Sequence, residues 1–264
     1  MAGMGVADLR QKLGRPGDGP VLGAWIMYVR TPGIVRMAAA AGVDFVCVDL
    51  QHSAFGWETV ADFCEVARAA GVAAVVRPHV VDHGTVNRIQ DLGAAGVMIP
   101  DVDHRRPVDD CVDWVRYPPR GHRGVSVGGP AADYDIGPLD AAAAEAADGR
   151  QVVAVQVETD AGVAALESVL AAGGVDLVEV GRNDLAASLG VPGDLRHRRV
   201  EAAVDAVVDT SRRHDVPVAA TAGSVDDVAA LVDRGVSCVM WRTDKSILLA
   251  SYRDFTAAAA SATS

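Results

Sequence analysis

Two carboxylates stand where residue type and spacing could do chemistry. In QVVAVQVETDAGVAALESVLAAGGVDLVEVGRNDLAASLG, Gln151 to Gly190, Glu158 closes one Val-rich run and Asp184 follows another. The runs read as buried strands, one ending Gln156-Val157-Glu158 and one over Val175–Val180, with a helix over Ala161–Ala172 between them. If the strands are parallel neighbours, the two acids emerge side by side on one rim. There they could hold a hard divalent cation with open positions for a substrate. Two solvated loop acids are the alternative that this stretch alone leaves open.

Other polar residues follow apolar runs in the same way. His52 and Asp49 lie in DLQH after one run, and Arg77 ends VVRP. Asp101, Thr221 and Asp244 follow three more. Taken singly, a histidine after a strand is more often structural or merely exposed, and Arg77 could cap a helix. Their joint placement after successive strands is what points to a shared site.

The elements that would position them come from a recurring phrase. Small residues ending in glycine lead into a Val-rich run in AAAAGVDFVCVDL, RAAGVAAVVRP, LGAAGVMIPDV, LAAGGVDLVEVG and VDRGVSCVMWR. The glycines fit helix C′ positions, and nearly continuous apolar runs fit strands covered on both faces. Val21–Tyr28, Val43–Leu50, Val72–Arg77 and Val97–Pro100 read as the first four strands, and Val216–Ala220 and Val236–Trp241 as the last two. Helices are expected over Pro32–Ala41, with Thr31 as N-cap, then Trp57–Ala70, Gly84–Ala95, Val108–Arg116 and Leu139–Ala147. Val200–His214, Val225–Arg234 and Ile247–Ala259 complete the set. About eight strand–helix pairs predict one (β/α)8 TIM barrel over residues 1–264, with chemistry at the C-terminal ends of its strands. A doubly wound sheet is the runner-up, but no GxGxxG follows the first strand. Tyr117 to Gly137 breaks the rhythm as a long Pro- and Gly-rich loop, whose arginines could face an anionic substrate.

Composition narrows the partners. The chain has 264 residues and a net charge of −11, with no basic run, which argues against nucleic acid or an anionic membrane. No apolar run approaches the ~20 residues that span a bilayer, and the N-terminus MAGMGVADLRQKLG lacks a signal-peptide core. The four cysteines form no CxxC pair and read as buried free thiols of a reducing compartment. These features together predict a soluble cytoplasmic protein.

DLQH (Asp49–His52), VRP (Val76–Pro78), QDLGAAGVMIP (Gln90–Pro100), YPPRGHRG (Tyr117–Gly124), QVE (Gln156–Glu158) and GRNDLAASLG (Gly181–Gly190) resemble the metal-dependent class II pyruvate aldolases. Members include 4-hydroxy-2-oxoheptanedioate and 2-keto-3-deoxy-sugar-acid aldolases, with the citrate lyase beta chain more distantly related. The resemblance runs from about Val21 to Tyr252. It implies a (β/α)8 barrel assembled as a homo-oligomer, a trimer or hexamer, with C-terminal helices exchanged between subunits. It implies that Glu158 and Asp184 ligate Mg2+, Mn2+ or Co2+, and that the substrates are a small 2-oxo acid and an aldehyde. Gln156 would sit beside the oxo acid, the backbone of Gly181–Asn183 would approach its carboxylate, and Arg77 would contact its keto oxygen. His52, oriented by Asp49, would be the base, acting directly or through a water. Asp91 would reach a neighbouring subunit's site, and Trp25 joins the substrate-facing set.

Two departures stand out from the resemblance. Gln51 occupies a position that is commonly acidic. In place of GPxDLS the chain has GRNDLA, which puts Arg182 and Asn183 beside the turn expected to bind the carboxylate. The expected reaction is metal-assisted C–C cleavage through a pyruvate-type enolate, and no Schiff-base lysine is needed. Acyl-CoA lyase or 2-oxo-acid decarboxylase chemistry on the same site is one alternative. A catalytically silent barrel kept as a binding or assembly subunit is the other.

Overall fold

A computed structural model of the chain describes residues 9–14 and 19–262; the first eight residues of the N-terminal stretch read above lie outside them. Eight parallel strands close into a barrel in chain order. They are β1 (Val21–Ile26), β2 (Phe45–Asp49), β3 (Ala73–Arg77) and β4 (Gly96–Ile99), then β5 (Val152–Val157), β6 (Leu177–Val180), β7 (Val218–Ala222) and β8 (Cys238–Thr243). α1 (Leu9–Leu13) closes the N-terminal end of the barrel, and outside the strands pack α2 (Gly33–Ala40), α3 (Trp57–Ala70), α4 (His83–Asp91), α5 (Arg106–Trp114) and α6 (Ala141–Arg150). Next come α7 (Asp160–Ala171), α8 (Arg182–Ser188), α9 (Arg198–Arg213), α10 (Val225–Asp233) and α11 (Asp244–Ser261).

Alternation along each strand divides the core into two shells. Val46, Val48, Val76, Val153, Val155 and Val178 face outward under the helices. Phe45, Cys47, Val75, Met98, Val152, Ala154, Leu177 and Met240 fill the barrel interior, joined at its N-terminal end by Leu9 and Leu13 of α1. Full burial of such an apolar side chain contributes roughly 1.5–3 kcal/mol. The bottom of the barrel is therefore a sealed apolar plug, and the same inward parity leads upward to polar residues. All four cysteines are free and buried.

The expected glycine turns form at Gly42, Gly71, Gly173 and Gly235, each with positive φ. Gly96 is the exception: it lies inside β4, where a Cβ would fall 2.4 Å from the Val152 carbonyl oxygen. Thr31 does not cap α2, whose N-cap is Pro32 with no side-chain hydrogen bond. β7 and β8 begin two residues later than their apolar runs; the lost N–H of Pro217 delays β7, and the shift brings Thr221 into the strand. α1 and α8 escape the apolar pattern because each is too short to complete an amphipathic repeat.

Candidate active site

The C-terminal mouth of the barrel opens into a cavity of about 770 Å³. Trp25, His52, Arg77, Gln156, Gly181, Arg182, Asn183 and Asp184 line it, and Glu179 and Thr221 do as well. β3 delivers Arg77 as its last residue, 5 % exposed. Arg77 Nε donates to Asp49 Oδ1 at 2.8 Å and Nη1 donates to Gln156 Oε1 at 2.9 Å. Its guanidinium also lies 4.6 Å from the centre of the Trp25 ring. Burial alone would lower the Arg77 pKa, but the hydrogen bond and charge of Asp49 outweigh it and raise it. The cation is held charged on three sides, and Nη2 is left without a hydrogen-bond partner among the described residues.

Asp49 is fully buried and works on the main chain. Oδ1 also accepts from the Gln51 N–H at 2.9 Å, and Oδ2 accepts from the His52 N–H at 3.1 Å. Asp49 therefore fixes the turn that carries His52 through its main chain and makes no hydrogen bond to the imidazole. His52 itself is exposed at the mouth of the cavity.

Glu158, just past the end of β5, is 3 % exposed. Its Oε1 accepts from the Asp101 N–H at 3.0 Å. A Cβ on Gly181 would lie 2.6 Å from Glu158 Oε2 and 3.0 Å from Gln156 Nε2, so only glycine lets the β6–α8 turn pass over these two side chains. Burial pushes the Glu158 carboxyl up to about 8, with the charges of Glu179, Asp101 and Asp184 adding to it against the Asp101 N–H. A cation fits this excess of negative charge. No cluster of three or more metal-ligating side chains forms among the described residues. Glu158 and Asp184 would thus leave most of the coordination sphere to substrate and water.

Several expectations change. Arg182 lines the cavity with its guanidinium committed to a carboxylate of the protein itself. Its Nη2 donates to Asp227 Oδ2 and to the Thr221 carbonyl, both at 2.5 Å, so its charge is neutralised and the β6–α8 and β7–α10 turns are clamped together. Gln51 Nε2 donates to Asp101 Oδ2 at 2.9 Å, coupling that departure to the residue beneath Glu158. Asp91, expected to reach a neighbouring subunit's site, lies outside the cavity of its own barrel, where burial raises its pKa, opposed by Arg123. In the Tyr117–Gly137 loop, Arg120 pairs with Asp148 at 3.2 Å, and Arg123 lies 4.5 Å from the centre of the Tyr117 ring. Neither loop arginine lines the cavity. Asp244 is structural, accepting from the N–H groups of Met27, Tyr28, Val29 and Lys245.

Sequence reasoning passed over Glu179, a carboxylate inside β6 that is 1 % exposed. Its parity with Gly181, two residues on, was the available signal, since that parity points into the barrel.

Fold and site define a (β/α)8-barrel enzyme with its chemistry at the C-terminal ends of the strands. Residues 25–250 match the HpcH/HpaI aldolase/citrate lyase family. The chain belongs to that family and is a carbon–carbon lyase. It is 30% identical over 254 residues to a hydroxypyruvate/pyruvate aldolase of Pseudomonas aeruginosa, covering 94% of this chain and 91% of that one. A protein of the same name from Sagittula stellata is 34% identical over 183 residues, 69% of this chain and 71% of its own. The crystal structure of a family protein from Burkholderia cenocepacia superposes with a TM-score of 0.87 at 31% identity, covering 96% of this chain and 99% of that one.

Proposed function

We propose that the chain is a divalent-metal-dependent aldolase that cleaves a 4-hydroxy-2-oxo acid to a small 2-oxo acid and an aldehyde, or runs the reverse addition. The observation that carries this reading is the grip on Arg77: a guanidinium held by Asp49 and Gln156 in the cavity that Asp184 lines, with Glu158 buried under the Gly181 turn beside it. In cleavage, His52 takes the proton of the C4 hydroxyl, the C3–C4 bond breaks, and its electron pair passes into the enolate of the oxo acid. Arg77 Nη2 donates to the oxygen that gains charge, and Gln156 keeps the guanidinium from turning away. The first turn of α8 offers main-chain N–H groups without helical partners to the substrate carboxylate. A proton returned to C3 releases the oxo acid. Mg2+, Mn2+ or Co2+ held by Glu158 and Asp184 would supply Lewis-acid stabilisation of the enolate. Buried free thiols support a cytoplasmic location.

The test uses purified protein with Mn2+ or Co2+. Proton NMR in D2O follows exchange of the pyruvate methyl group, and a coupled assay follows pyruvate released from 4-hydroxy-2-oxo acids. The reading predicts both signals, each abolished by Glu158→Gln or Asp184→Asn. Absence of both from the folded, metal-supplied wild type would sink it, as would full activity of either variant in chelator.

A further inference from the structure

Glu179 is a buried polar group in the cavity for which the reaction above has no use. Register pairs it with Gln156 on one side and with Ala219 on the other. Burial pushes its pKa up to about 7, against the charges of Arg77 and Arg182 and side-chain hydrogen bonds from Gln156 and Thr221. Thr221 Oγ1 accepts from Trp25 Nε1 at 2.9 Å, so the hydroxyl proton is free to turn toward the carboxylate. Even so, Glu179 Oε2 is buried without a hydrogen-bond partner among the described residues. An acceptor stranded in this way costs about 1–3 kcal/mol. The barrel interior beneath it is otherwise apolar. This carboxylate therefore stands in the cavity wall with an acceptor to spare.

The ligand that meets it can be deduced from its neighbours. An oxo acid held by Arg77 and Gln156 brings its own carbons to Glu179, ahead of those of the aldehyde. The carboxylate and keto oxygens of that acid carry no proton to give this acceptor. Only a hydroxyl on C3 offers a proton.

We propose that Glu179 is a specificity-determining residue whose free carboxylate oxygen accepts a hydrogen bond from the C3 hydroxyl of a 3-hydroxy-2-oxo acid, selecting hydroxypyruvate over pyruvate as the nucleophilic substrate. The proposal rests on the aldolase reading of the site. A site built around a substrate hydroxyl discriminates strongly against the analogue that lacks it, because its own polar group is then left unpaired.

The experiment measures kcat/KM for hydroxypyruvate and for pyruvate, each with glyceraldehyde and Mn2+, in wild type, Glu179→Leu and Glu179→Gln. The wild type is expected to prefer hydroxypyruvate by about tenfold or more, a ratio that falls about tenfold in Glu179→Leu. The near-isosteric Glu179→Gln keeps one acceptor and loses severalfold, and it carries the test if the leucine variant does not fold. Hydroxypyruvate should also raise the wild-type melting temperature more than pyruvate does at equal concentration, a difference that shrinks in the variants. Equal ratios in folded wild type and variants, or a wild type indifferent to the hydroxyl, overturn the inference and leave the aldolase reading standing. A wild type inactive on both donors removes that reading and this inference together.

Discussion

His52 enters the cavity on a turn whose geometry is set by Asp49 through two main-chain N–H bonds, so the imidazole can be removed without disturbing the buried Arg77–Asp49 pair. We expect His52→Ala to lower kcat by about 10² or more with Mn2+ affinity nearly intact. A parallel loss of metal binding by calorimetry would contradict its role as base. Glu158 and Glu179 set the pH response. Burial raises both from 4.5, to about 8 and about 7, so the fold favours their neutral forms. The stabilisation this provides is complete below the unfolded value of 4.5 and is lost as pH rises through 7 and 8. Metal-free protein should melt at falling temperature from about pH 5 to pH 8, and Mn2+, which requires ionised carboxylates, should flatten the decline. A decline of the same size in the double variant Glu158→Gln, Glu179→Gln would assign it elsewhere. Residues at strand ends were legible because a polar side chain after an apolar run declares itself. Glu179, enclosed in VDLVEV, reads as strand until the barrel gives that face an inside.

The decisive element is the β6–α8 turn. Gly181 lets it cross Glu158, and Arg182 ties it through Asp227 to the start of α10. Gly181→Ala should displace the Glu158 carboxylate, reducing activity at least tenfold with a loss of about 1–3 kcal/mol in stability by denaturant titration. Wild-type activity in that variant would show that Glu158 tolerates a different position. The motif GRNDLAASLG announced a turn with a carboxylate. It did not reveal that Arg182 would find Asp227, because the partners are 45 residues apart and meet only when β6 and β7 pair. Apart from the short α1 and α8, the helices were legible, since glycine turns and apolar stripes are local signals. Strand starts were less so, because hydrogen-bond pairing and not hydropathy decides where a run becomes a strand.

As a whole, the molecule keeps its apolar plug at one end of the barrel and its charged cavity at the other. One apolar surface is left over. α11 packs against β8 and β1 and borders the cavity, yet leaves Leu249 50 %, Tyr252 67 % and Phe255 71 % exposed. Such a stripe on an 18-residue helix fits burial against another copy of the chain. We expect light scattering to give three or six times the 27.3 kDa subunit mass, and a variant with Leu249, Tyr252 and Phe255 changed to serine to fall to lower mass. A wild-type monomer at micromolar concentration would rule this assembly out.

Asp244 gives the closed barrel a history as well as a shape. Its carboxylate binds the N–H groups of Met27 and Tyr28, 217 and 216 residues earlier in the chain, beside the seam where β8 meets β1. A ribosome reading this message has already made His52, Arg77, Glu158, Glu179 and Asp184 before it reaches the residue that locks the seam. A nascent chain halted before Cys238 would present β1 and β7 as bare sheet edges, open to any strand nearby. The cell therefore holds a complete inventory of site residues some time before it holds a barrel. During the interval between the two, those unpaired edges are open to the aggregation that exposed strands invite.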